Sequence, residues 1–185
     1  MATIISRKGY GQVEPNHLSG IVTGQIYAQW PAHVKVVTTG ADSITQLEQG
    51  QFAKYDYAAG EVNFTGDGEF MLVYNEEKHY DERKQSHKYF VYKTEDFTDG
   101  RIYPRLIKTN VGDIYTTNTI GVANTSDTAT VGTVELTVGD YLTVGTTGFL
   151  ESAGTTMPAS GMAWKVVKEY TMPDGQPGVK IQRVQ

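Results

Sequence analysis

Short runs of alternating apolar and polar residues, cut every few positions by Gly, Pro or Asx-Gly, follow one another along most of the chain. A period of two puts alternate side chains on opposite faces, so each run predicts a β-strand with one buried face. The cleanest is 133–138: Val134, Leu136 and Val138 share one face, and Thr133, Glu135 and Thr137 the other. Residues 33–39, 51–57, 61–65, 70–74, 88–93, 101–108, 164–170 and 179–184 read as further strands, with Pro104 marking an edge or a bend. Gly66-Asp67-Gly68 predicts a tight turn, and Pro173-Asp174-Gly175 with Pro177-Gly178 a hairpin loop. Residues 118–130 and 151–160 read as loops. The helix candidate at 42–49 has Asp42 or Ser43 as a cap but barely two turns, which predicts a turn or 3₁₀ segment. Together these elements predict a mainly β protein of antiparallel sheets.

Three regions separate by pattern. Residues 1–30 read as an extended N-terminal arm, because Gly9, Gly11, Pro15, Gly20 and Gly24 interrupt every apolar group. Ile4, Ile5, Val13, Leu18, Ile21 and Ile26 are nevertheless too many for a simple solvated tail. Two fates are open: folding over the chain's own core, or ordering as an added strand on a partner. Truncating residues 1–14 separates them, since only the first fate makes the segment necessary for folding. Residues 31–104 form a β-rich region with a charged surface excursion at 76–93, in which Tyr80 is the one bulky apolar residue of 76–88. Residues 105–185 predict a small barrel-like or sandwich unit. Within it, 109–163 holds fourteen Thr and no Lys or Arg, a composition that favours strands. The unit also contains an echo: Val111-Gly112-Asp113-Ile114-Tyr115-Thr116 and Val138-Gly139-Asp140-Tyr141-Leu142-Thr143, each a turn entering a strand.

Chemistry narrows the reading by exclusion. The 185 residues include no Cys, which removes disulfides, thiolate nucleophiles and Cys-built metal centres. The nucleophile, dinucleotide, phosphate-loop and zinc-protease motifs are absent from the sequence. His79, Arg83 and His87 would share a helix face, but the arginine opposes a cation, and the Asp-Gly pairs read as turns rather than calcium loops. No catalytic, cofactor or metal site is expected. A net charge of −5 argues against a general nucleic-acid role, and the basic residues of 78–105 are interleaved with seven carboxylates of 76–99. Trp30 and Trp164 could stack on sugars, although the apolar setting of Trp164 favours core packing. No apolar stretch approaches the roughly 18 residues of a membrane helix, and neither a signal peptide nor a membrane partner is expected.

Two stretches carry a family likeness. Residues 72–84 (LVYNEEKHYDERK) lead through an aromatic strand to the first V-G-D turn; 138–152 (VGDYLTVGTTGFLES) is closed by 164–184 (WKVVKEYTMPDGQPGVKIQRV). Over about residues 45–185 this order resembles virion structural proteins of tailed bacteriophages, in particular the decoration or cement proteins of the head. The resemblance implies a non-enzymatic, β-rich protein without cofactors that binds the outer surface of the capsid and stabilises or decorates the head. Its implied partner is the major capsid protein, with a homo-oligomer as a second mode of association, and its implied location is the virion after synthesis in the host cytoplasm. The implied interface comprises Ile4, Ile5, Arg7, Lys8 and Tyr10 from the arm, with Tyr80, Arg83, Lys84 and Lys88 from the excursion. The alternative from another class is a carbohydrate-binding β module of a phage fibre or tail; a hydrolase with unrecognised carboxylates is the third.

Overall fold

The computed structural model describes residues 2–14, 32, 44–74, 91–93, 102–121 and 132–185. Among these residues there is no helix, and thirteen strands follow one another. They are β1 (Thr3–Ile5), β2 (Gln46–Glu48), β3 (Phe52–Asp56), β4 (Glu61–Asn63), β5 (Met71–Val73), β6 (Val91–Lys93) and β7 (Leu106–Ile107), then β8 (Ile114–Thr117), β9 (Val134–Leu136), β10 (Tyr141–Val144), β11 (Leu150–Gly154), β12 (Ala163–Thr171) and β13 (Pro177–Arg183). All strand pairs are antiparallel, so the mainly β, antiparallel reading holds. The expected strand at 33–39 lies outside the described residues.

A five-stranded sheet of order β11-β10-β12-β13-β8 forms one layer. Its inner face follows from alternation: Trp164 and Val166 of β12, Val179 and Ile181 of β13, Leu142 and Tyr115 all lie in one core. The sheet is open rather than a barrel; a single parallel bridge, Ile120 with Leu150, links the chain just beyond β8 to β11.

A second sheet, β4-β3-β5-β7, is buried on both sides. Phe52 and Leu72, paired across β3 and β5, enter the first core, where the Phe52 ring lies 5.7 Å from that of Trp164. Ala53, Tyr55, Met71 and Val73 alternate to the other side and build a second core with Leu47, Val62, Tyr92, Ile102 and Leu106. Burial on both faces explains why 71–73 reads as an unbroken apolar run. β7 belongs to this sheet, so the change of sheet falls after Ile107, close to the loss of basic residues at Thr109.

Four local expectations need correction. Residues 46–48 form a strand paired with β6, not a turn or 3₁₀ segment. Residues 151–154, expected to begin a loop, belong to β11. Among the described residues of the run 101–108, only the two of β7 are strand. Val138 does not join Val134 and Leu136 on a buried face; it is 57% exposed. The reason is the turn it occupies. Asp140 N donates to Thr137 O (3.0 Å) and Thr137 N to Asp140 Oδ2 (2.7 Å), while Gly139 takes φ 107. Asn110, Gly112 and Asp113 repeat this turn, with the same two hydrogen bonds at 3.0 and 2.7 Å and φ 98 at Gly112. Each glycine N–H then donates to a neighbouring strand, Gly139 to Val166 O and Gly112 to Arg183 O, both 2.8 Å. The sequence echo is one strand-launching turn used twice, and Val111 and Val138 occupy its outward corner.

Candidate docking surface

The described part of the N-terminal segment takes the first of its two fates. Ile5, Arg7, Tyr10 and Val13 are 1, 0, 2 and 4% exposed, so an arm standing away from the body is corrected for residues 2–14. Backbone pairing fixes the path. Thr3, Ile4 and Ile5 pair with Leu136, Glu135 and Val134 of β9, and Val13 bridges Thr117 while Glu14 N donates to Thr116 O at 2.9 Å. The segment therefore covers the β8 edge of the five-stranded sheet.

Polar anchors complete the attachment. Arg7 Nη1 meets Glu48 Oε2 at 2.6 Å with both side chains buried, and the same carboxylate oxygen accepts Gly11 N–H at 2.7 Å. Arg7 also donates to Gly9 O at 3.2 Å, and its guanidinium lies 5.7 Å from the centre of the Phe149 ring. Gly11 has no room for a side chain, since a Cβ there would press on Thr119 and on Gln49 O. Further along, Gln12 Nε2 donates to Asp174 Oδ2 (2.7 Å), and Lys8 N donates to Gln176 Oε1 (2.5 Å) in the β12–β13 hairpin loop.

This arrangement divides the expected interface residues. Ile5, Arg7 and Tyr10 point inward and are corrected from interface to core; the Lys93 ammonium lies 5.2 Å from the Tyr10 ring centre. Ile4 (55% exposed) and Lys8 remain on the surface. Ile4 stands opposite exposed Glu135 on the β1–β9 ladder. Beside Thr3 a shallow groove of about 280 Å³ is lined by Glu169, Tyr170, Thr171, Gly175 and Pro177. Tyr80, Arg83, Lys84 and Lys88 lie outside the described residues.

Titration is displaced at two described groups, both tyrosines inside the cores. Burial pushes the Tyr115 phenol well above its usual range, and the ring meets Trp164 edge-on at 5.0 Å. Burial likewise raises Tyr92, against a smaller lowering by its hydrogen bond to Arg105 N and by the Arg105 charge. Trp164 is fully buried between Phe52 and Tyr115, which removes it as a sugar-stacking platform. A cleft of about 380 Å³ between the two large sheets is lined by Lys54, Glu69, Phe70, Met162 and Arg183 among others. Its charged groups are engaged: Lys54 lies 4.6 Å from the Phe70 ring centre, and Glu69 pairs with Lys108 at 2.6 Å and Arg183 at 3.7 Å. Among the described residues, no group of three or more His, Asp or Glu is placed to hold a metal ion.

Sequence reasoning passed over Lys165, Lys168 and Lys180, which share the outer face of β12 and β13. The alternation Trp164-Lys165-Val166 signals the first of them, but the register that gathers all three depends on a bulge that no local pattern announces. The chain matches no protein-family model, no curated protein and no solved structure.

Proposed function

We propose that this protein is a non-enzymatic virion component that docks on the outer surface of a tailed-phage head and stabilises or decorates it. The observation that carries the reading is the clamped N-terminal ridge: Ile5, Arg7, Tyr10 and Val13 are locked inside, while Ile4 and Lys8 are displayed. A side chain displayed on an already ordered backbone loses little further entropy on docking, unlike an arm that must order at that moment. The resemblance of the motif order in 72–84, 138–152 and 164–184 to phage virion proteins supports the major capsid protein as the partner. The carbohydrate-module alternative is weaker, because Trp164 is committed to the core.

Quantitative mass spectrometry of purified heads tests the reading. The expected result is a fixed molar ratio to the major shell protein that fits the symmetry of the shell. Presence in the lysate with absence from purified heads would overturn it.

A further inference from the structure

We infer that the outer face of the five-stranded sheet is an electrostatic docking surface for a carboxylate-rich face of another protein. The register places Lys168 of β12 directly opposite Lys180 of β13, and Lys165 opposite Gln182. Cross-strand partners, and residues two apart on one strand, share a face, so the three lysines project from one side of the sheet. Trp164, Val166, Val179 and Ile181 occupy the other side, in the core. A bulge makes the arrangement. The register slips between Val166 and Lys168, so Lys168 meets Lys180 where an unbroken ladder would have offered Val167. Tyr141 stands opposite Lys165, its ring centre 5.7 Å from the ammonium, and Tyr170 follows Lys168 on the same face.

Like charges directly opposite on neighbouring strands, about 4.8 Å apart, repel. Among the described residues, no carboxylate forms an ion pair with Lys165, Lys168 or Lys180. Glu14 comes near by register, through its N–H on Thr116 O opposite Lys180, but its side chain is buried at 2% exposure. Lysines commonly guard an exposed sheet edge. That role does not apply here, because β12 and β13 are interior strands. A merely solvated face has no reason to place two cations opposite each other; a face that receives carboxylates does.

Several features favour a protein over a polyphosphate. The surface is a sheet face with lysine point charges and no arginine forks, and the chain as a whole carries −5, which opposes a nucleic acid at long range. A local cation patch meeting matched carboxylates gives orientation and on-rate despite that net charge. This inference goes beyond the head-docking reading and does not depend on it.

The test compares the full chain with the Lys168→Gln/Lys180→Gln double variant at low salt, using poly-L-glutamate and a single-stranded oligothymidylate as probes. Lys54→Gln, on the inter-sheet cleft, serves as the control. The expected result is tighter binding to poly-L-glutamate than to oligothymidylate. The double variant should lose about tenfold in affinity for poly-L-glutamate, and Lys54→Gln should change little. The double variant should also melt about 1–3 °C higher, because the opposed charges are gone. Unchanged affinity in the double variant overturns the inference, as does an equal loss in Lys54→Gln. Tighter binding of oligothymidylate overturns it in favour of a nucleic-acid face. A lower melting temperature would show the lysines to be structural.

Discussion

Arg7 shows how far a residue's role depends on chain that lies distant from it. In sequence it is a cation in a glycine-interrupted segment, and an outward position follows naturally. Its partner Glu48 lies 41 residues away, and the fold seals the pair from water. Removing one partner of such a pair strands the other charge, so Arg7→Met should cost about 3–5 kcal/mol in denaturant unfolding. Arg7→Met/Glu48→Leu should recover part of that loss. Tyr115 offers a second test, since its buried hydroxyl makes no hydrogen bond to any of the described residues. Tyr115→Phe should raise stability by about 1 kcal/mol, because a buried unsatisfied group disappears. The pH dependence has a defined sign. Tyr115 and Tyr92 titrate higher in the folded protein than in the unfolded chain, so their stabilisation is full below about pH 10 and falls as pH rises beyond it. Tyr115→Phe should make that alkaline loss shallower, so stability curves from equilibrium unfolding should run parallel below about pH 10 and diverge above it.

Elements were legible where they carried their own period or turn chemistry. β3, β4 and β5 lie within the strands read from alternation, β12 and β13 overlap those read at 164–170 and 179–184, and the V-G-D echo marked a real pair of turns. β6 lies within the strand read at 88–93, but β2 was hidden, because Gln46–Glu48 shows no alternation of its own and is held by pairing with β6, about 45 residues on. β11 was hidden by its small residues, Glu151 to Gly154 all being exposed. The turn pair gives a matched prediction: Gly112→Ala and Gly139→Ala each force an L-residue to positive φ in open space, at about 1–2 kcal/mol. A null effect at both would contradict the shared turn. For the N-terminal segment the sequence leaves both fates open, because gaps at Gly9, Gly11 and Pro15 look alike in an arm and in a strap over a core. Deleting residues 2–14 removes Ile5, Tyr10 and Val13 from the interior and leaves Glu48 without its cation. At about 2–5 kcal/mol per large buried side chain, the sum reaches the whole stability of an ordinary domain. The truncated chain should lose its cooperative melting transition.

At the scale of the molecule, β3 and β5 sit between two cores and contribute to both, Phe52 and Leu72 to one and Ala53, Tyr55, Met71 and Val73 to the other. Phe52 N also donates to Gly148 O at 2.7 Å, across the junction of the two large sheets. One calorimetric transition is therefore expected for the chain, and a fragment of residues 109–185 should not fold alone, having lost Ile5, Val13, Phe52 and Leu72 from its core. Two well-separated transitions would contradict the shared middle layer. The central functional claim, attachment to a phage head by a rigid displayed ridge, is tested most directly by co-sedimentation of the wild type and Ile4→Asp with purified undecorated heads. Saturable wild-type binding is expected, with about tenfold weaker binding by Ile4→Asp at an unchanged melting temperature. Failure of the wild type to sediment with heads, or equal binding by the two proteins, would contradict it.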